Sequence, residues 1–280
     1  MKIIPIIHGT FKVDGGAMFG PVPKAIWQKK YPADENNLCT LTLRSLLIED
    51  ESRLFLIDTG IGTKHSEKFL SFIYPQLNDI HEILKKHGYS TKDITDVIVT
   101  HLHYDHAGGC TYKNEDGQVI PTFSNATYWI SKQQIDLLQN PNPREKAALF
   151  PEDIVPVLKA GQLKILEKDV SLSKNITLFF SFGHTEGMLV PIIKNGSQII
   201  IFAADTIPTL HNIHIPWISA YDNHPLTLMN EKKSFLTMAA ENNYIFVFEH
   251  DYYNESATVQ YNKEKDRFFP KEIKQLNELS

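Results

Sequence analysis

Cysteine and excess charge are both scarce in this chain of 280 residues. The only two cysteines are Cys39 and Cys110. That excludes a disulfide framework and fits a reducing cytosol, with both read as small buried apolar side chains. The net charge is -5, so no basic footprint marks a nucleic acid or an anionic membrane as partner. No apolar run approaches the ~20 residues of a bilayer span. The opening MKIIPIIHGT lacks the longer apolar region and cleavage site of a signal peptide. A soluble, cytoplasmic protein is expected.

Apolar residues, by contrast, are plentiful at 42%, enough for one large core or two closely packed halves. Runs rich in β-branched and aromatic residues recur at 38–48, 53–58, 96–100, 126–131, 175–182, 188–194, 198–205 and 244–250, and read as strands. Helical patterns fall at 66–88, kinked near Pro75 and stopped by Gly88, and at 224–243, with shorter ones in KQQIDLL and PREKAALF. Strands in clusters, each followed by helices, predict an α+β chain of two sheets with helices outside, four layers in all. No linker divides the chain, so residues 1–280 read as one domain of two halves with a seam in 145–175. Segment 9–37, rich in glycine, proline and aromatics, reads as an ordered loop over a site or a partner subunit.

The densest chemistry lies in VIVTHLHYDHAGG, 97–109. A continuous Val/Ile run predicts a buried strand, and the histidine block opens in the loop after it. His101 and His103 are two apart, which on extended backbone puts both on one face. Asp105 and His106 follow once the chain turns, and Gly108 and Gly109 let it bend away. One loop therefore offers two ligand pairs, one for each of two ions. Crowded imidazoles beside a carboxylate are costly without a cation. A zinc site needs three or more protein ligands, so further donors should lie at other strand ends. His184 after FFSFG, Asp205 after IIIFAA and His250 after YIFVFE are the candidates, each a polar residue closing an apolar run.

HLHYDH, GHTEG, AADT and FEHD, in this order, together resemble the metallo-β-lactamase superfamily over nearly the whole chain, and LIDTG (56–60) matches the motif that precedes its histidine block. The resemblance implies an αββα sandwich with a dinuclear site along one edge of the sheets. It implies one ion on His101, His103 and His184, a second on Asp105, His106 and His250, and Asp205 bridging both. Asp58 would orient the ligand loop from behind. The stretch DGGAMFGPVPKAIWQKKYPADENN is similar to the N-terminal region of quorum-quenching lactonases and methyl parathion hydrolases. Two departures stand out: Glu186 replaces a proline common after the His184 position, and Pro208 stands where some lactonases carry tyrosine.

Two divalent ions, most simply zinc, would share a water and ionise it to a metal-bound hydroxide, with Asp105 as the catalytic group that passes a proton. The expected function is a dinuclear hydrolase that opens acyl-homoserine-lactone-like substrates. The alternatives are an aryl esterase or phosphotriesterase of methyl parathion hydrolase type and, behind it, a mononuclear iron persulfide dioxygenase. Phe19, Trp27, Trp217 and Tyr221 are candidates for an apolar pocket wall, with plain packing as the competing use of each. The expected partner is a small lactone or ester, with neither nucleic acid nor membrane, and the resemblance adds a homodimer.

Overall fold

A computed structural model describes residues 1–278. The chain divides into two compact units. The first comprises residues 1–10 and 43–169, the second residues 11–42 and 170–278.

The first unit is built on a seven-stranded mixed sheet. Its strand order is Gln76–Leu77, Lys2–Asp14, Leu38–Asp50, Arg53–Ile57, Asp96–Ile98, Thr127–Ser131, Leu163–Leu166, with residues 11–14 and 38–42 of two of these strands counted in the second unit. The central pairs from Arg53–Ile57 onward are parallel. Parallel strands buried on both faces read as unbroken apolar runs, which is why 96–100 stands out. Leu47, Leu56, Val97, Val99, Tyr128 and Ile130 form one buried cluster with helix residues Leu84, Ile135, Ile154 and Val157. The helices are Ile80–Lys86, Lys132–Gln139 and Pro151–Lys159. Ser131 caps the second by accepting from Gln134 N–H, the usual remedy for orphan donors at a helix start.

The second unit also holds a seven-stranded sheet. The order is Val170–Ser171, Ile176–Ser181, Met188–Asn195, Gln198–Phe202, Ile245–Val247, Ser256–Asn262, Arg267–Lys274. All its pairs are antiparallel except Gln198–Phe202 with Ile245–Val247. The crossover between those two contains the helix Pro225–Asn242. Its Leu228, Leu236 and Ala239 are buried.

Several sequence expectations need correction. The single kinked helix over 66–88 is two short helices, Glu67–Leu70 and Ile80–Lys86, with strand residues Gln76–Leu77 between. PREKAALF holds one three-residue 3-10 turn. Segment 9–37 is not all loop, for the strand Lys2–Asp14 enters it and two short helices, Gly15–Phe19 and Lys24–Trp27, follow. No helix among the described residues is long and apolar enough to cross a membrane.

Candidate metal centre

In the first unit the buried strand Asp96–Ile98 delivers the ligand loop. His103 sits on extended backbone, and Tyr104–Ala107 makes one helical turn. The pair does share a face: His101 Nε2 lies 3.1 Å from His103 Nδ1. His106 packs against His101 with ring centroids 3.9 Å apart. Asp105, partly exposed, has Oδ2 3.9 Å from His106 Nε2. Gly108 has φ -57, so the loop does not use glycine to bend. It uses glycine to fit, because a Cβ at Gly108 would stand 2.1 Å from Ile61 O, and at Gly109 2.1 Å from Thr59 O.

Asp58 supports this loop from behind. It holds φ 57, a left-handed backbone that is costly for a residue with a side chain and that marks constrained sites. Its Oδ1 accepts from Thr100 N–H at 2.7 Å, and its Oδ2 accepts from Thr100 Oγ1–H at 2.6 Å and from His106 Nδ1–H at 3.0 Å. Thr100 Oγ1 in turn accepts from His101 Nδ1–H at 3.0 Å. One carboxylate thus orients His106 directly and His101 through a hydroxyl.

Beneath the loop lies a buried cluster that no motif foretold. Lys64 Nζ donates to Gly108 O and pairs with Asp153 Oδ1 at 2.5 Å. Burial pushes the Asp153 carboxyl up to about 6, against the pull of Lys64. Burial also holds the neighbouring His65 down to about 4.

In the second unit three candidate ligands come from three separate strand ends. His184 follows Ile176–Ser181, Asp205 follows Gln198–Phe202, and His250 follows Ile245–Val247. Ala204, beside Asp205, takes φ 43, again the left-handed region. Asp205 offers Oδ2 to His184 Nε2 at 3.2 Å and Oδ1 to His250 Nε2 at 3.1 Å. His184 Nδ1–H donates to Asp222 Oδ1 at 2.8 Å. His250 Nδ1–H donates to Thr42 O at 2.9 Å.

These partners fix the tautomers. A carbonyl only accepts, so His250 carries its proton on Nδ1, and carboxylates assign His106 and His184 likewise. His103 is the reverse, because its Nε2–H faces Glu145 Oε1 at 3.2 Å. Every histidine of the set then presents its other ring nitrogen as an acceptor. In the first unit two such nitrogens meet at 3.1 Å. In the second, two meet carboxylate oxygens at 3.2 and 3.1 Å. Acceptor against acceptor at this range is unfavourable without positive charge between them. The donors therefore fit divalent metal, and imidazole with carboxylate suits zinc, iron, manganese or cobalt.

The aromatic wall fares differently. Phe19 and Trp27 are 0% and 1% exposed and stack on each other at 5.3 Å. They pack as core, the competing use of those rings. Trp217 is half-buried, with its ring edge-on to Phe19 at 5.8 Å, and Tyr221 is exposed. Within segment 9–37, Phe11 lies edge-on to the His250 ring at 5.5 Å, and the Tyr31 hydroxyl donates to Thr40 O at 2.9 Å and accepts from Tyr252 N–H at 3.1 Å. Glu145, Asp222 and Thr42 also went unread, because none belongs to a motif and each is near its histidine only after folding.

The profile of the metallo-beta-lactamase superfamily matches residues 44–250, and the chain belongs to that superfamily. Its fold is accordingly the mixed α/β sandwich with helix-flanked sheets, and its class is hydrolase. An N-acyl homoserine lactonase of Bacillus cereus is 30% identical over 190 residues, 63% of this chain and 68% of the relative. A probable metal-dependent hydrolase from Staphylococcus aureus superposes with TM-score 0.85 at 30% identity, covering 97% of this chain and 99% of that one. AidC, described as a dizinc quorum-quenching lactonase in complex with a product, superposes with TM-score 0.74 at 23% identity over 98% and 95% of the two chains. That last likeness is one of fold.

Proposed function

We propose that the two ligand clusters close on a pair of divalent ions, most simply zinc, and that the protein opens acyl-homoserine-lactone-like substrates in the cytoplasm. His101, His103 and His184 would hold one ion, and Asp105, His106 and His250 the other. Asp205 would lend one oxygen to each. The observation that carries this reading is the carboxylate of Asp205, whose two oxygens face two different histidines at 3.2 and 3.1 Å. The matched segment 44–250 contains both clusters, and the Bacillus relative is a lactonase, which supports the reading further.

A bound pair of ions supplies Lewis acidity and brings the pKa of water toward neutrality. The chain's own groups do the rest. With five imidazoles and two carboxylates as its donors, the loaded centre would stay net positive and favour negative charge developing on a carbonyl oxygen. Asp105, partly exposed beside His106, would take a proton and return it to the leaving alkoxide. A lactone's leaving group stays tethered, so the product is an open hydroxy acid. Trp217 and Tyr221 would line the acyl side, with Phe19 and Trp27 backing them.

One observation favours a second reading. Residue 208 is proline, whose carbonyl accepts from His250 N–H at 3.2 Å, so no phenol stands three residues past Asp205 to assist lactone opening. An aryl esterase or phosphotriesterase needs no such group. Zinc-loaded protein assayed against acyl-homoserine lactones, aryl esters and phosphotriesters separates the two. Highest kcat/KM on lactones is expected. Highest kcat/KM on esters or triesters installs the second reading, and no turnover of any of them with two ions bound overturns both.

A further inference from the structure

Two buried carboxylates outside the ligand set each pin one ligand histidine. Glu145 is 3% exposed. Its Oε1 accepts from His103 Nε2–H at 3.2 Å, and its Oε2 accepts from Asn142 Nδ2–H at 2.6 Å. Asn142 Oδ1 in turn caps this segment by accepting from the N–H groups of Arg144 and Glu145, both at 3.0 Å. The same segment also grips His103 by its backbone, through an isolated bridge to Leu149.

The second unit repeats the device with different chain. Asp222 is 3% exposed. Its Oδ1 accepts from His184 Nδ1–H at 2.8 Å and its Oδ2 from Ser219 N–H at 2.7 Å. The segment again grips the backbone too. Asn223 donates N–H and Nδ2–H to His184 O, both at 3.0 Å, and His224 donates N–H to Gly183 O at 2.9 Å.

A buried carboxylate is expensive unless paired, so both pairings demand an account. The χ2 torsion of histidine is broad and roughly two-fold, so backbone anchoring leaves the ring free to flip and present the wrong atom. We infer that Glu145 and Asp222 are positioning residues that select the ring nitrogen each histidine presents to metal: Nδ1 for His103 and Nε2 for His184. This rests on the dinuclear reading above for the ion, though not for the ring orientation. His103 is the odd member of the set because its partner lies on the Nε2 side. Partners of this kind orient the ring and raise the basicity of the ligand nitrogen.

The test uses full-length protein loaded with zinc, and the variants E145A, E145Q, D222A and D222N. Zinc affinity is measured by chelator competition, and ring tautomers by nitrogen NMR of histidine-labelled protein. In the unsubstituted protein His103 should carry its proton on Nε2 and His184 on Nδ1. E145A and D222A should weaken zinc binding by about 10–100-fold and scramble that one ring's pattern, with the other rings unchanged. E145Q and D222N keep size and a hydrogen-bonding oxygen, so they should fold as the parent does and fall between it and the alanine variants. Native affinity and native ring pattern in all four variants overturn the inference and leave the dinuclear reading intact. Fewer than two ions in the parent overturn the dinuclear reading. The ring pattern of the metal-free parent against E145A and D222A then decides the inference alone.

Discussion

The two units meet the same chemical demand by opposite means. The first packs His101, His103, Asp105 and His106 into one loop of six residues, propped by Asp58 and glycine contacts. The second offers one candidate ligand from each of three strand ends. Local delivery concentrates the cost in one short segment, which must be held from behind. Dispersed delivery spreads the cost over a sheet whose strands already hold the ends in place. The buried lysines differ in the same sense. Lys64 is paired with a carboxylate under the loop. Lys232 donates to the carbonyls of His214, Ile215 and Trp217 at 3.1, 3.3 and 2.8 Å.

The largest expected effect tests the dispersed arrangement. Asp205→Ala removes a carboxylate that faces both His184 and His250, so activity should vanish and metal content should fall. Retained turnover with two ions by elemental analysis would sink the bridging role.

Next comes the prop under the local arrangement. Lys64→Met strands the Asp153 carboxylate, and breaking a buried pair costs about 3–5 kcal/mol. Lys232→Met strands only carbonyls and should cost less, about 1–3 kcal/mol. Denaturant unfolding measures both, and equal losses would erase the contrast drawn between the units.

A smaller effect is pH-dependent. His8 is buried with Nε2 2.8 Å from Ser45 Oγ, and burial lowers its pKa to about 4. Between about 4 and 6.5 the unfolded chain binds a proton that the folded chain refuses, so stability rises with pH across that window. The slope from this group approaches about 1.4 kcal/mol per pH unit. His8→Gln should flatten it, and an unchanged slope would show that His8 is not its source.

The smallest effect concerns the proposed wall. Tyr221 is 45% exposed, so Tyr221→Ala should change stability by no more than about 0.5 kcal/mol. If the ring lines the acyl side, KM should rise while kcat holds. No change in either removes Tyr221 from the wall.

The same contrast explains what could be read in advance. Four ligand-type residues in six positions after an apolar strand are legible without any fold, because proximity in sequence is proximity in space. His184, Asp205 and His250 were legible more weakly, as polar residues closing apolar runs. Glu145 and Asp222 were not legible at all. Each meets its histidine across 42 and 38 residues of chain, with no periodicity to announce it. Among the strands, Lys2–Asp14 was obscured by Pro5, which a sheet tolerates here because its neighbour Gln76–Leu77 pairs only with Gly9 and Thr10. Arg267–Lys274 lies at a sheet edge, where charges and Pro270 are tolerated and blur the apolar alternation. Over 66–88 the helical pattern does not give one helix, because propensity is a weak prior and the pairing of Gln76–Leu77 with Gly9 and Thr10 overrides it.

The close approach of Gly108 and Gly109 to the carbonyls of Ile61 and Thr59 bears on how this enzyme can change. Any side chain at those two positions must push backbone, so neither can serve as a site of innovation. Tyr104, in the same loop, is only half-buried, and Trp217 and Tyr221 lie on a separate segment. A laboratory library meets no such obstacle at the half-buried Tyr104 or the exposed Tyr221 and would lose every clone varied at 108 or 109.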